Sequence, residues 1–358
     1  MNMLVGMSGG VDSSTVAALL QAQGHQVTGV TMSLWRDDNP YEGGTKDACY
    51  GPGEKADIEA ARQVCAALGI PFHVFDCARE YERRVIDYFR DEYLAGRTPN
   101  PCVRCNAALK FGLLPDLARQ AGLDFDAFAT GHYARVRQAP GGRFQLLRAV
   151  DLPKDQSYFL CRLSQEQLAR QRFPLGELHK AEVRDLARKF GLAVAEKHDS
   201  QDFYSGEISE LLQQPDRDGD IVEEGTGRIL GHHTGYWKYT IGQRRGLGVA
   251  STAPLYVVGI DPCHNRVTLG HAEAVRHHRL AADNFNWVSV DAPDAPLQCQ
   301  VKVRSVQNPV ECTLTPLGDG RYDAQFPDGI YAVAPGQAAV FYQGDLLLGG
   351  GFIRNATP

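Results

Sequence analysis

Residues 3–13 read Met3-Leu4-Val5-Gly6-Met7-Ser8-Gly9-Gly10-Val11-Asp12-Ser13. The apolar run Met3–Met7 predicts a buried strand. Ser8, Gly9 and Gly10 turn the chain, and Ser13–Leu20 predicts a helix. Glycines let a backbone approach a ligand closely, and the open amides of a helix start hold anions. The Ser8–Ser13 turn therefore reads as a phosphate cradle at the end of a first strand. It lacks the lysine of the G-x-x-x-x-G-K-[ST] loop. A loop without that lysine suits a pyrophosphate leaving group better than transfer of a terminal phosphoryl group. An ordinary strand–turn–helix corner is the plain alternative; serines on both sides of Gly-Gly and an Asp inside the turn weigh against it.

Working outward, apolar runs alternate with amphipathic stretches up to about residue 200. Strands are expected at Val27–Met32, Pro71–Phe75 and Asp126–Thr130, and helices at Lys55–Leu68, Ala78–Leu94 and Cys105–Gln120. The alternation predicts an α/β fold with a doubly wound parallel sheet. Ligands of such sheets bind beyond the carboxyl ends of the strands. The Ser8–Ser13 turn, Met32 and Gly131-His132 should then share one crevice. Residues 1–205 form this expected domain, 206–275 a central Gly-, His- and Arg-rich domain, and 276–358 a small β-barrel. Turns are expected at Asp328-Gly329 and at Gln343-Gly344-Asp345.

The chain has 358 residues, 43% of them hydrophobic and 22% charged, which fits a globular protein of two or three domains. No apolar run is long enough to span a membrane, and no basic flank marks a signal peptide. Nine cysteines, odd in number and scattered, argue against a disulfide framework and for a reducing cytoplasm. A net charge of −6 neither announces nor excludes a nucleic-acid partner, since phosphate contacts need only a local basic surface.

The second informative segment is Arg97-Thr98-Pro99-Asn100-Pro101-Cys102-Val103-Arg104-Cys105-Asn106. Cysteines at a helix start are expected to have depressed pKa values, with Arg97 and Arg104 adding to the effect. The pair reads as a redox disulfide, half a zinc site, or two ligands of an iron–sulfur cluster. No second C-x-x-C stands at zinc spacing. Cys49, in a Gly/Pro-rich loop after the second strand, is a third cluster candidate on the same side of the sheet. Cys65 and Cys161 read as core, and Cys77, Cys263, Cys299 and Cys312 have no partner at ligand spacing.

The ordered set of motifs resembles the tRNA-specific 2-thiouridylases, MnmA-type sulfurtransferases of the PP-loop ATPase superfamily. It comprises the Ser8–Ser13 loop, Arg97–Pro101, Cys105-Asn106, Lys110-Phe111, Thr130–Tyr133, Asp151–Leu160, Tyr239–Gly248 and Pro335–Ala338. The resemblance implies that ATP adenylates the 2-carbonyl oxygen of a wobble uridine and that sulfur then displaces AMP. It assigns ATP to Gly6, Met7, Ser8, Gly9, Gly10, Val11, Asp12, Ser13, Met32 and Gly131. Asn100, Pro101 and Cys102 should border the target base, whose extrusion needs a rigid wall. Lys154, Asp155, Gln156, Arg304 and Ser305 should touch tRNA, with His132 and Gln337 near the anticodon. Asp12 is expected to orient Mg²⁺ or the ATP phosphates, or else to cap the helix. The implied partners are tRNA and a sulfur donor, either a protein persulfide carrier or inorganic sulfide; a monomer is expected.

Two positions depart from the family pattern. Cys102 stands where an Asp is usual, three residues before the nucleophile position Cys105. Tyr204 stands where a second catalytic cysteine is usual, in Asp199-Ser200-Gln201-Asp202-Phe203-Tyr204. A phenol carries no persulfide. The expectation is that Cys49, Cys102 and Cys105 hold a 4Fe–4S cluster whose open iron binds hydrosulfide. The alternative is a metal-free persulfide on Cys105 or Cys102. Other PP-loop chemistries fit less well: an amidotransferase-linked synthetase needs a glutamine-hydrolysing domain, and lysidine synthesis needs no C-x-x-C. A non-catalytic tRNA-binding protein needs no ATP cradle.

Overall fold

The computed structural model describes residues 1–45, 47–197 and 202–357. Its first layer is a five-stranded parallel sheet. β1 (Asn2–Gly6) lies at the centre, flanked by β2 (Gln26–Ser33) and then β4 (Phe72–Asp76) on one side, and by β5 (Ala127–Ala129) and the two-residue strand Gln171–Arg172 on the other. Met3, Leu4 and Val5 are all buried, as expected for a parallel strand covered on both faces. One face packs against α1 (Val11–Ala22), α2 (Glu54–Leu68) and the helix Lys180–Lys189 through Val16, Ala17, Val64, Cys65, Val183 and Ala187. The other packs against Val103, Phe111, Leu114 and Ala118, along the helical stretch from Pro101 to Gln120. The carboxyl ends of all five strands therefore open on one edge.

A short strand, β3 (Ala48–Tyr50), pairs in parallel with Asp202–Tyr204, Ala48 opposite Asp202 and Tyr50 opposite Tyr204. The central part of the chain forms a four-stranded sheet from Gly219–Glu223, Ile229–His233, Tyr256–Asp261 and Arg266–Gly270. The C-terminal strands, Arg276–Trp287 to Leu346–Thr357, close into a six-stranded barrel because the first and last of them pair. No helix among the described residues is long and apolar enough to cross a membrane.

Two sequence expectations change. The hairpin Ala134–Gln138/Phe144–Arg148 lies within the stretch read as α/β, yet it extends the C-terminal sheet, with Leu146 and Leu147 opposite Leu347 and Leu346. Its inward face carries the apolar side chains that the barrel strand needs as partners. Asp328-Gly329 is no turn. It lies inside the strand Arg321–Tyr331, where Gly329 takes φ +71° beside a register shift. A glycine in a bulge and a glycine in a turn look alike in sequence.

Candidate active site

β1 ends at Gly6, and the chain turns through Ser8–Gly10 into α1, whose N-cap is Gly10. The serines hold the turn from within. Ser8 N donates to Ser13 Oγ at 3.1 Å, and Ser14 Oγ donates to Gly10 O at 2.8 Å. Gly9 takes φ +70°, and a Cβ there would overlap the Asp57 carbonyl of α2. That close approach is what the glycine permits. Gly131 closes the crevice opposite, since a Cβ there would stand 2.9 Å from Ser13 N and from the Asp12 Cβ. The turn and Gly131 therefore meet, as the strand order requires. Met32 lies near the end of β2 and borders the same apolar cluster as Cys105.

Two lysines serve this turn from far along the chain. Lys180 Nζ donates to Asp12 Oδ1 and Oδ2 at 2.7 and 2.8 Å, and Tyr133 Oη donates to Asp12 Oδ1 at 2.9 Å. Lys197 Nζ donates to Gly9 O at 3.1 Å and to Asp57 Oδ1 at 2.6 Å. The sequence reading named neither residue. Nothing in their local sequence marks them, because their role exists only once the sheet brings their segment beside β1. Asp12 is not the helix cap; it lies in the first turn of α1, paired with Lys180.

The C-x-x-C segment is a short helix, Pro101–Cys105, capped by Asn100, whose Oδ1 accepts from Val103 N at 3.2 Å. Gln337 pins its entry: Nε2 donates to Thr98 O and Pro99 O at 3.2 and 2.7 Å, and Oε1 accepts from Asn100 Nδ2 at 3.3 Å. Cys102 and Cys105 are half-buried at the helix surface and Cys49 is exposed. The expected depression of the thiol pKa values is reversed. Burial pushes Cys102 up to about 12 and Cys105 up to about 11, and neighbouring Cys49 adds to both. The two arginines do not oppose this. Arg97 is committed to Glu92 through bonds of 2.7 Å, and Arg104 lies over the Tyr88 ring. Lys110 is the cation that favours the thiolates.

His132 bridges the two halves. It follows Gly131, its Nδ1 shares a 2.7 Å hydrogen bond with Thr130 Oγ1, and its ring lies 5.3 Å from that of Phe111, on the helical stretch that begins with the cysteines. Burial, together with the Lys110 charge, holds its pKa well below the usual imidazole range, so it stays neutral. Lys110 thus acts both on His132, which adjoins the cradle, and on the two thiols.

All three thiols act on the buried Tyr81, whose ionisation Cys105, Cys49 and Cys102 each oppose. Three thiols without an imidazole are the kind of donor set an iron–sulfur cluster takes. Yet no group of three His, Cys, Asp or Glu residues that could hold a metal ion exists among the described residues. The expected three-thiolate centre is therefore not formed here: the donor chemistry suits a cluster and the spacing does not.

The tRNA methyl transferase HUP domain family matches residues 1–204, the tRNA methyl transferase PRC-barrel domain family residues 209–271, and the Aminomethyltransferase beta-barrel domain family residues 277–353. The tRNA-specific 2-thiouridylase MnmA of Endomicrobium trichonymphae is 44% identical over 357 residues, covering 99% of both chains. That of Chloroflexus aurantiacus is 48% identical over 359 residues, covering 98% of each. The chain belongs to the tRNA-specific 2-thiouridylase family.

Within this 2-thiouridylase the remaining expected residues divide. Lys154, Gln156, Arg304 and Ser305 are partly accessible, and Gln156 also receives Tyr133 N at 3.0 Å. Asp155 is placed differently. Its carboxylate is fully enclosed, accepting from Ala149 N, Ser157 N and Ser157 Oγ at 3.1, 3.1 and 2.9 Å beside Arg148. It holds the loop that presents its neighbours and does not face outward. Asp199, Ser200 and Gln201 lie outside the described residues. Tyr204 is buried, donates to Glu210 and packs near the rings of Tyr41 and Tyr50. Cys65 and Cys161 are buried in the core as expected, while Cys299 and Cys312 prove to be cross-strand neighbours with sulfurs 3.7 Å apart.

Proposed function

We propose that this chain catalyses ATP-dependent 2-thiolation of the wobble uridine of tRNA. The observation that supports the reading is the chain of neighbours from the Ser8–Ser13 cradle through Gly131-His132 to Phe111 and Lys110, on the helical stretch that carries Cys102 and Cys105. The uridine O2 attacks the α-phosphorus of ATP, an O–P bond forms, and the bond to the β-phosphate breaks. The open amides of the first turn of α1, with Lys180, stabilise the departing pyrophosphate. Asp12 is the candidate for orienting Mg²⁺. Asn100 and Pro101 wall the extruded base. Lys154, Gln156, Arg304 and Ser305 contact the RNA backbone, which gives register rather than sequence.

Sulfur then attacks C2 and AMP leaves. In the metal-free route a persulfide on Cys105 attacks, giving a Cys–S–S–C2 adduct. The Cys102 thiolate attacks Cys105 Sγ, the S–S bond breaks, and 2-thiouridine leaves with a Cys102–Cys105 disulfide behind it. A thiol reductant restores the pair. Cys102 and Cys105 stand three residues apart on the same short helix, which suits this route. A second route, with Cys49, Cys102 and Cys105 as ligands of a 4Fe–4S cluster, would need the three thiols to draw closer than they stand; the influence of Cys49 on both helix thiols is the observation behind it. The enzyme acts in the cytoplasm as a monomer, with sulfur brought by a protein persulfide or as sulfide.

The test is thiolation of unmodified tRNA by enzyme purified without oxygen, with iron and sulfide measured on the same sample. ATP-dependent 2-thiouridine with release of AMP and pyrophosphate supports the function, and its absence with every sulfur source rejects it. Full activity in iron-free protein selects the persulfide route. Activity that tracks iron and disappears in Cys49→Ala selects the cluster.

A further inference from the structure

The strands Leu297–Lys302 and Val310–Gly318 are neighbours in the barrel, and Cys299 stands directly opposite Cys312. Both lie in the barrel core with Val301, Val303 and Leu314, and both are free thiols. Their sulfurs are 3.7 Å apart. The register that makes them partners is locked from the outer face. Gln298 Nε2 donates to Thr313 Oγ1 at 2.9 Å, and Gln300 Nε2 donates to Glu311 Oε1 at 2.6 Å. A slip of one residue would break both bonds and turn the cysteines outward. The sheet itself therefore holds the two sulfurs face to face. Just beyond them, Val301 opposite Val310 ends the ladder, and residues 303–309 connect the strands. That loop carries Arg304 and Ser305. A bond between Cys299 and Cys312 closes a ring around all of it.

We propose that Cys299 and Cys312 are a modification site where hydrogen peroxide installs a disulfide, and that this staple weakens tRNA binding through the loop it encloses. The effect on tRNA rests on the proposed thiolation; the bond itself does not. Peroxide is small, and the pair lies near the end of a hairpin, where local opening costs least. Cys312 is the proton donor of the pair, because its hydrogen bond to Cys299 and its burial both raise its pKa. The Cys299 thiolate therefore attacks peroxide. An S–O bond forms, the O–O bond breaks, and hydroxide leaves, taking up the proton that Cys299 gave away. Cys312 sulfur then attacks Cys299 Sγ. The S–S bond forms, the S–O bond of the sulfenic acid breaks, and water leaves with the Cys312 proton. The two thiols lose two electrons, and one peroxide becomes two waters. Bonding brings the sulfurs from 3.7 Å to about 2.0 Å, so the strands draw together at the foot of the loop. Arg304 is the residue that feels this, since its Nη2 is held in place by Ile241 O and Ala332 O at 3.1 and 3.0 Å.

The test treats the native full-length protein with hydrogen peroxide, blocks the remaining thiols with N-ethylmaleimide and maps tryptic peptides with and without reductant. Trypsin cuts after Lys302 and Arg304, so the two cysteines fall in separate peptides. A linked pair is expected, lost on reduction and absent from Cys299→Ala. Filter binding then compares tRNA affinity of peroxide-treated wild type and peroxide-treated Cys299→Ala, the variant registering any effect of oxidising Cys49, Cys102 or Cys105. Treated wild type should bind about tenfold more weakly than the treated variant, a difference of ~1.4 kcal/mol, and reductant should restore it. Cys312→Ala gives the same comparison should Cys299→Ala fail to fold. Absence of the linked pair in protein whose exposed Cys49 has been oxidised overturns the inference. A linked pair with equal affinities in the two treated proteins overturns its effect on tRNA. Untreated wild type that binds no tRNA overturns the proposed function instead, while the peptide map still decides whether the bond forms.

Discussion

Lys180 Nζ lies 2.7 and 2.8 Å from the two carboxylate oxygens of Asp12, across 168 positions of sequence. The charge that other phosphate loops carry within themselves is supplied here by the first residue of a distant helix. Before nucleotide arrives, the lysine and Asp12 neutralise each other. A divalent cation held by Asp12 would compete for the carboxylate and would let Lys180 turn toward the phosphates. Lys180→Met should lower kcat for tRNA-dependent pyrophosphate release by about 10²–10³, the loss that follows removal of one preorganised charge-stabilising group. Lys180→Arg should recover part of it. Unchanged pyrophosphate release in Lys180→Met rejects this role.

The thiols should react in the order of their exposure. With the Cys105 pKa pushed up to about 11 by burial, its thiolate fraction at pH 8 is only ~10⁻³, and alkylation should rise about tenfold per pH unit from pH 8 to 10. Exposed Cys49 should be labelled first. Peptide mass mapping after short iodoacetamide pulses reads both. Rapid, pH-independent labelling of Cys105 would falsify the burial argument.

Tyr204 fills space and binds Glu210 where a second catalytic thiol would stand. Tyr204→Phe keeps the ring packing and removes one hydrogen bond. It should leave the thiolation rate within twofold while costing about 1 kcal/mol of stability. A large loss of rate at unchanged stability would show that the phenol takes part in the chemistry.

Glu54 supplies a pH dependence. Its buried carboxyl accepts Leu34 N and Trp35 N, and burial, outweighing those bonds, raises its pKa to about 7. The folded protein therefore binds this proton more tightly than the unfolded chain. The stability it contributes is present below the unfolded value, near 4.5, and is lost as pH rises through 7. Relative to Glu54→Gln, wild type should lose up to about 3 kcal/mol between pH 4.5 and 8. Denaturant titrations of both proteins across that range measure it; a pH-independent difference between them rejects the assignment.

Much of this arrangement was legible in the chain. Alternating apolar and amphipathic runs marked the parallel sheet, and Gly9-Gly10 between serines marked the cradle, because both are local signals. Lys180 and Lys197 were not legible, since a lysine at a helix start or in a loop has no pattern until the sheet places it beside Gly9 and Asp12. The thiol pKa values were misread for a related reason. A helix start and two arginines argue locally for thiolates, but Glu92 occupies Arg97, the Tyr88 ring lies under Arg104, and burial decides the sign. The inward turn of Asp155 was hidden in the same way, because an acid beside a lysine looks solvent-facing in sequence.

The hairpin 134–148 has a consequence for synthesis. Leu146 and Leu147 pair with Val136 and Arg135 within the hairpin, but on their other edge with Leu347 and Leu346, about 200 positions later in the chain. While the ribosome is still working, this strand edge emerges without its neighbour and is open to wrong pairing. The nascent N-terminal half should therefore be chaperone-dependent until residues 346 and 347 have been made, and a chain cut short before residue 346 should leave that half soluble only poorly. The hairpin and the strand that covers its edge are made roughly 10–40 s apart, yet each completes the other.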